Sequence, residues 1–127
     1  MRITVDEARE YFRHPSQRVL ETTPDNLPDV GFEYWASGPL CIVFHPSLYP
    51  DVWMGHTAAK PEGWGLLVPH AKKLLNEFWD EKMPHRIIGW TPEKNRAALA
   101  FVRRAGFVVD GRLPLPGGAV IMSGWSK

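Results

Sequence analysis

The sequence predicts an α/β fold, a single domain whose central mixed sheet carries helices on both faces. Three observations predict it. Over residues 32–59 the apolar residues alternate or run continuously, which reads as three consecutive strands. After residue 65 the apolar period lengthens to that of a helix, and it does so again towards residue 105. Short strand-like runs lie between and after these helices. Such alternation implies parallel pairing in the second half, while a meander in the first half is antiparallel.

A chain of 127 residues fits one domain, taken here as residues 1–127. With 15 basic and 14 acidic residues the net charge is +1, which offers no field for nucleic acid or an anionic membrane. Cys41 is the only cysteine, so an internal disulfide is excluded and a buried, inert thiol in a reducing, cytoplasmic setting is expected. The first residues, MRITVDEAREYF, are charged from Arg2 onward and contain no apolar stretch of the kind a signal peptide needs. No apolar run approaches the roughly 20 residues of a membrane span.

The elements follow in order. Thr4 with Glu7 forms a capping box, and the helix it opens runs to about Arg13, ahead of Pro15. Residues 16–23 add a short second helix. Residues 23–29, with Pro24 and Pro28, form a loop. Strands are expected at 32–36, 40–44 and 52–59. The middle one, Leu40-Cys41-Ile42-Val43-Phe44, is apolar throughout, as in a strand buried on both faces. Leu67, Ala71, Leu74 and Phe78 then share one helix face, and that helix ends near Glu81 because Pro84 follows. A strand at 85–90 leads to a last helix opened by Thr91-Pro92-Glu93-Lys94, with Ala98, Phe101, Val102 and Ala105 as its buried stripe. Gly106 stops it in the left-handed conformation. Two final strands, 107–109 and 119–122, flank a bend rich in Gly and Pro.

The last helix carries a resemblance. In Asn95-Arg96-Ala97-Ala98-Leu99-Ala100-Phe101-Val102-Arg103-Arg104-Ala105-Gly106-Phe107, the residues Asn95, Ala98, Gly106 and Phe107 stand at the spacings of the GNAT-type acyl-CoA N-acyltransferases. Asp110-Gly111-Arg112 resembles the "EGR" of the ribosomal-protein N-acetyltransferase branch. Pro61-Glu62-Gly63-Trp64-Gly65 resembles its "PEYWG", and His85-Arg86-Ile87 its "HRI". The similarity spans about residues 53–112; small bacteriophage-encoded GNAT-like proteins resemble the chain as well.

The resemblance implies a GNAT-like fold whose central sheet splays between two parallel strands, the gap receiving the pantetheine arm of acetyl-CoA. The strand end Thr57-Ala58-Ala59 would bond that arm. Gly63, Trp64 and Gly65, ahead of the next helix, would meet the pyrophosphate where backbone N–H groups and the helix dipole favour anions. Asn95, Ala98 and Phe101 would hold the cofactor from the last helix. The acceptor would be an amine on a small molecule or a protein. The family's first strand is weak or missing here and the chain is short, so a partner subunit in a homodimer would supply part of the acceptor side.

Two positions depart from the family pattern. Its pyrophosphate loop reads Arg or Gln, two residues, Gly, one residue, then Gly or Ala. With Trp64 in the first place, Leu67 and Pro69 fall on the two small-residue places, adding bulk and removing an N–H. A slipped register lets Gly63 and Gly65 serve instead. The family's frequent general-acid Tyr, seven residues after the Asn, is Val102 here.

Candidate bases come next. His56, on the strand leading into the gap, titrates near neutral pH and could take a proton from an amine. Glu33 and Glu62 are alternatives. None of the five histidines (His14, His45, His56, His70, His85) forms a close pair with a third ligand, so no metal site is expected. Two functions compete: an N-acetyltransferase that uses acetyl-CoA, and a GNAT-fold binding or structural module without chemistry, of the kind a phage particle would carry.

Overall fold

The computed structural model describes residues 1–17, 20 and 22–127. Thr4 starts the first helix as the sequence predicts. Its Oγ1 accepts the Glu7 N–H at 3.2 Å, and Glu7 Oε1 accepts the Thr4 N–H at 3.1 Å. This helix, α1 (Val5–Ala8), tightens into a 3-10 turn over Arg9–Phe12 that buries Phe12. A further 3-10 turn, Pro15–Gln17, occupies the start of the expected second helix, whose residues 18, 19 and 21 lie outside the described residues.

The strands are β1 (Arg2–Ile3), β2 (Glu33–Ser37), β3 (Leu40–Pro46), β4 (Val52–Ala59), β5 (Arg86–Pro92), β6 (Val108–Leu113) and β7 (Val120–Trp125). They form one mixed sheet in the order β1-β2-β3-β4-β5-β7-β6. β1 is a two-residue strand on the edge of β2, so the weak first strand is short rather than missing. Pairing from β1 to β4 is antiparallel, as expected. Parallel pairing in the second half is confined to β4 with β5. β6 and β7 form a hairpin, and β7 inserts between β5 and β6, so both its neighbours run antiparallel to it.

Helices α2 (Val68–Lys82) and α3 (Arg96–Arg104) belong to one face of the sheet. There Leu74, Leu75 and Phe78 meet Ile42, Phe44, Ile87 and Trp125, with Ala105 just beyond α3. Phe78 stacks on Phe44 at 3.8 Å and receives Trp35 and Trp53 edge-on. On the other face Ala8 and Phe12 cover Tyr34, Cys41, Val43 and Ala58. β3 therefore buries alternate residues into two cores, which is why its sequence is apolar throughout. Burial pushes the Cys41 thiol up to about 12, so it stays protonated and unreactive.

The last helix begins later than Thr91-Pro92 suggests. Both residues complete β5, paired with Ile121 and Val120. Asn95 is the N-cap instead, its Oδ1 accepting the Ala98 N–H at 3.0 Å. Pro92 ends a strand here, where its missing donor is as harmless as at a helix start. Of the predicted stripe, Ala105 is buried, while Ala98, Phe101 and Val102 are half-buried because α3 borders open space. Gly106 ends the helix at φ +107°, as predicted.

Candidate functional site

β4 and β5 make only three cross-strand pairs: Val52–Arg86, Trp53–Ile87 and Met54–Ile88. Beyond them β4 stays on β3 as far as Ala59, and β5 stays on β7 as far as Pro92. Each strand is held by its outer neighbour, so the two part company and leave a gap that widens towards their C-terminal ends. Glycines meet where it closes: a Cβ on Gly89 would come within 3.9 Å of the Gly55 carbonyl oxygen. The sheet thus opens where a strand order of this kind places ligands, beyond the carboxyl ends of parallel strands.

A cavity of about 590 Å³ occupies the mouth of this gap. Thr57 and Ala59 line it from β4, and Trp64, Gly65, Leu67 and Val68 line it from the turn into α2. Asn95, Ala98, Phe101 and Arg104 close the α3 side, and Ser16 and Gln17 reach in from the 3-10 turn. That volume lies within the ordinary range of small-molecule and cofactor pockets.

Backbone groups of β4 add polarity to the cavity. The Lys60 N–H bonds Pro39 O, on the β3 side, at 2.9 Å. Alternation along a strand then turns the backbone groups of Ala59 and Thr57 towards the gap. The Ala59 N–H is engaged there by the Gln17 side chain, whose Oε1 accepts it at 2.9 Å. A buried strand donor without a ladder partner needs such a substitute.

The turn into α2 is set by its glycines. Gly63 is buried; a Cβ there would sit 2.2 Å from Pro39 Cγ, and its N–H bonds Lys60 O at 3.0 Å. Gly65 adopts φ +89°, which favours glycine. Leu67 caps α2 without a side-chain bond, and Pro69 fills its second position. The first helical turn therefore offers the amides of Val68 and His70 but none between them.

Seven of the nine sequence-predicted cofactor residues come together at this cavity: Thr57, Ala59, Trp64, Gly65, Asn95, Ala98 and Phe101. Two do not. Ala58 faces the opposite core beside Cys41 and Val43. Gly63 is consumed in holding the turn against Pro39.

Of the candidate bases, His56 projects from β4 on the α1 face, adjoining the closed end of the gap. Its Nε2 lies 2.9 Å from His45 Nε2. Burial first, and then the neighbouring His45, push its pKa down to about 4, so it is neutral at physiological pH. Glu33 is placed elsewhere: on β2, two strands from β4, it pairs with Lys82 Nζ at 2.6 Å and accepts the Trp35 indole N–H at 3.3 Å. Glu62 is exposed on the Pro61–Gly63 turn.

Sequence reasoning missed Gln17 and Arg104. Gln17 sits in a polar stretch without periodicity, and its contact with Ala59 spans 42 residues. Arg104 reads as the last-turn cation of a helix. Among the described residues no group of three His, Cys, Asp or Glu side chains is placed to hold a metal ion, and no helix is long and apolar enough to cross a membrane.

No protein-family model and no curated protein matches the chain. Solved structures do. An aminoglycoside acetyltransferase, AAC(6')-Ib, in complex with coenzyme A and kanamycin matches at a TM-score of 0.76 and 14% identity, covering 100% of this chain and 93% of that one. The ribosomal-protein-S5-alanine acetyltransferase from Vibrio fischeri matches at 0.70 and 13%, covering 98% and 90%. A GNAT-family acetyltransferase from Bacillus anthracis matches at 0.68 and 15%, covering 94% and 87%. The fold is therefore that of the GNAT acetyltransferases over nearly the whole chain.

Proposed function

We propose that the chain is an N-acetyltransferase that moves an acetyl group from acetyl-CoA to an amine. The observation that carries this reading is the parting of β4 and β5 after three pairs, with a cavity between Thr57, Ala59 and the starts of α2 and α3. The pantetheine arm lies along β4 and bonds the backbone of Thr57 and Ala59, displacing Gln17. The pyrophosphate meets Val68 and His70 at the start of α2, where oriented amides attract anions. Asn95, its Oδ1 committed to the helix cap, offers its Nδ2 protons to the arm.

In the reaction the neutral amine nitrogen attacks the thioester carbon and the C–S bond breaks. The thiolate leaves with the bonding pair, and the nitrogen gives up its extra proton to a base. His56 takes that role, because it stands beside the closed end of the gap on the face away from the cofactor helices. Amines are the acceptor class that the structural neighbours support: three of them are acetyltransferases of a ribosomal-protein alanine, of an aminoglycoside and of spermidine.

A second reading, a binding module without chemistry, is favoured by one specific feature. Pro69 removes an amide from the anion-facing turn, and Gln17 already occupies the Ala59 donor. Release of the coenzyme A thiol, followed with a chromogenic reagent, separates the two readings. The purified chain is given acetyl-CoA and a panel of an alanine-initiated peptide, an aminoglycoside and a polyamine. Amine-dependent thiol release supports the transferase; tight acetyl-CoA binding with no release from any amine supports the module.

A further inference from the structure

His45 and His56 meet diagonally across β3 and β4 on the face opposite α2 and α3, His45 standing opposite Met54 and His56 opposite Val43. Their ring planes differ by 10°, their centroids are 5.1 Å apart and their Nε2 atoms 2.9 Å apart. A ring radius subtracted at each end accounts for the whole difference, so the rings meet edge to edge, as an N–H···N bond requires. His45 Nδ1 lies 3.0 Å from Pro46 O. A carbonyl oxygen only accepts, so His45 Nδ1 carries the proton. Neutral His45 then has a bare Nε2, and the proton shared with His56 must sit on His56 Nε2. Neutral His56 is left with an unprotonated Nδ1, which has no hydrogen-bond partner among the described residues.

From this chain of donors we infer that His45 is a positioning residue, fixing the tautomer and orientation of His56 so that the His56 Nδ1 lone pair takes the proton of the attacking amine. The inference rests on the proposed transferase reading and deepens it. Side chains alternate along β4, so Thr57 and Ala59 look towards the cofactor helices and His56 looks the other way. With the cofactor arm entering between α2 and α3, the face left to an incoming amine is the one that carries His56. Phe32 packs beside the pair, its ring centroid 4.9 Å from that of His45. When His56 takes the proton, its Nε2–H still points at the His45 Nε2 lone pair, and the chain of donors ends on the Pro46 carbonyl. The proton comes from the amine nitrogen, the C–S electron pair leaves with the thiolate, and His56 later returns the proton to solvent.

The test has two readouts on the full chain. Nitrogen-15 NMR of labelled histidines reads the tautomers directly in the free protein at neutral pH. The expected result is His45 protonated at Nδ1 and His56 at Nε2; His56 protonated at Nδ1 overturns the inference whatever the chain's activity. Kinetics then separate positioning from packing. His45→Phe keeps a flat ring but offers no acceptor, and should lower kcat about tenfold or more with the acetyl-CoA KM unchanged. His45→Gln, whose amide oxygen can accept the His56 N–H, should recover most of that loss. Equal kcat in the Phe variant and the parent overturns the assignment. Correct tautomers in a chain that acetylates no amine overturn it together with the reading it rests on.

Discussion

At the scale of single residues, Gly106 tolerates a side chain poorly. It holds φ +107°, and a Cβ there would lie 3.1 Å from the Trp125 indole nitrogen. Gly106→Ala should therefore lose about 1–2 kcal/mol, read as a lowered Tm; an unchanged Tm would show that the turn relaxes freely. His56 makes a prediction with pH. Its folded pKa, about 4, lies below the ordinary 6.5, so the unfolded chain binds more protons between those values. Its contribution is complete above pH 6.5 and is lost as pH falls towards 4. Denaturation between pH 7 and pH 5, where carboxylates stay largely ionised, should show stability falling by about 1–2 kcal/mol after allowance for the ring's partial exposure. His56→Gln should flatten that slope, and an equally steep slope in the variant would assign the loss to other groups. Gly106 could be read from the sequence because a helical stripe ends there and an apolar run begins. The His45–His56 bond could not, because the pair forms only through the β3–β4 register.

At the scale of elements, the site is a strand end, a turn and a helix start. Gln17 holds the Ala59 N–H that the cofactor arm would use. Removing it with Gln17→Ala exposes that donor, and acetyl-CoA should bind about 3–10 times more tightly, the worth of one neutral hydrogen bond. Weaker binding in the variant would make Gln17 a ligand rather than a placeholder. Pro69→Ala adds an amide to the first turn of α2, next to the expected pyrophosphate. It should tighten binding by about tenfold with the fold intact by circular dichroism. No gain would place the phosphates elsewhere. Element boundaries explain what the sequence reveals here. β4 and α2 stand within a residue or two of expectation because period two gives way to period 3.6 between them. The start of α3 falls later than the sequence suggests because Pro92 suits a strand end as well as a helix start, and only the β5–β7 ladder decides between them.

At the scale of the whole molecule, one sheet does two jobs. Its antiparallel half is clamped between two cores, with β3 buried on both sides. Its parallel half is three pairs long and then opens. The continuous apolar run of β3 and the strand–helix alternation announced a mixed sheet with helices on both faces. The insertion of β7 beside β5 left no such trace, because a hairpin's sequence does not say which strand it joins. Seven of the nine expected cofactor residues reach the cavity because they follow from strand end, turn and helix start, which are local features. Ala58 does not, because side-chain alternation turns it to the other core, and Gly63 is spent on packing against Pro39. The central claim is that the parted strands receive acetyl-CoA, and calorimetric titration of the purified chain with acetyl-CoA tests it most directly. Saturable binding with a micromolar Kd is the predicted result; no heat of binding at millimolar acetyl-CoA would contradict it.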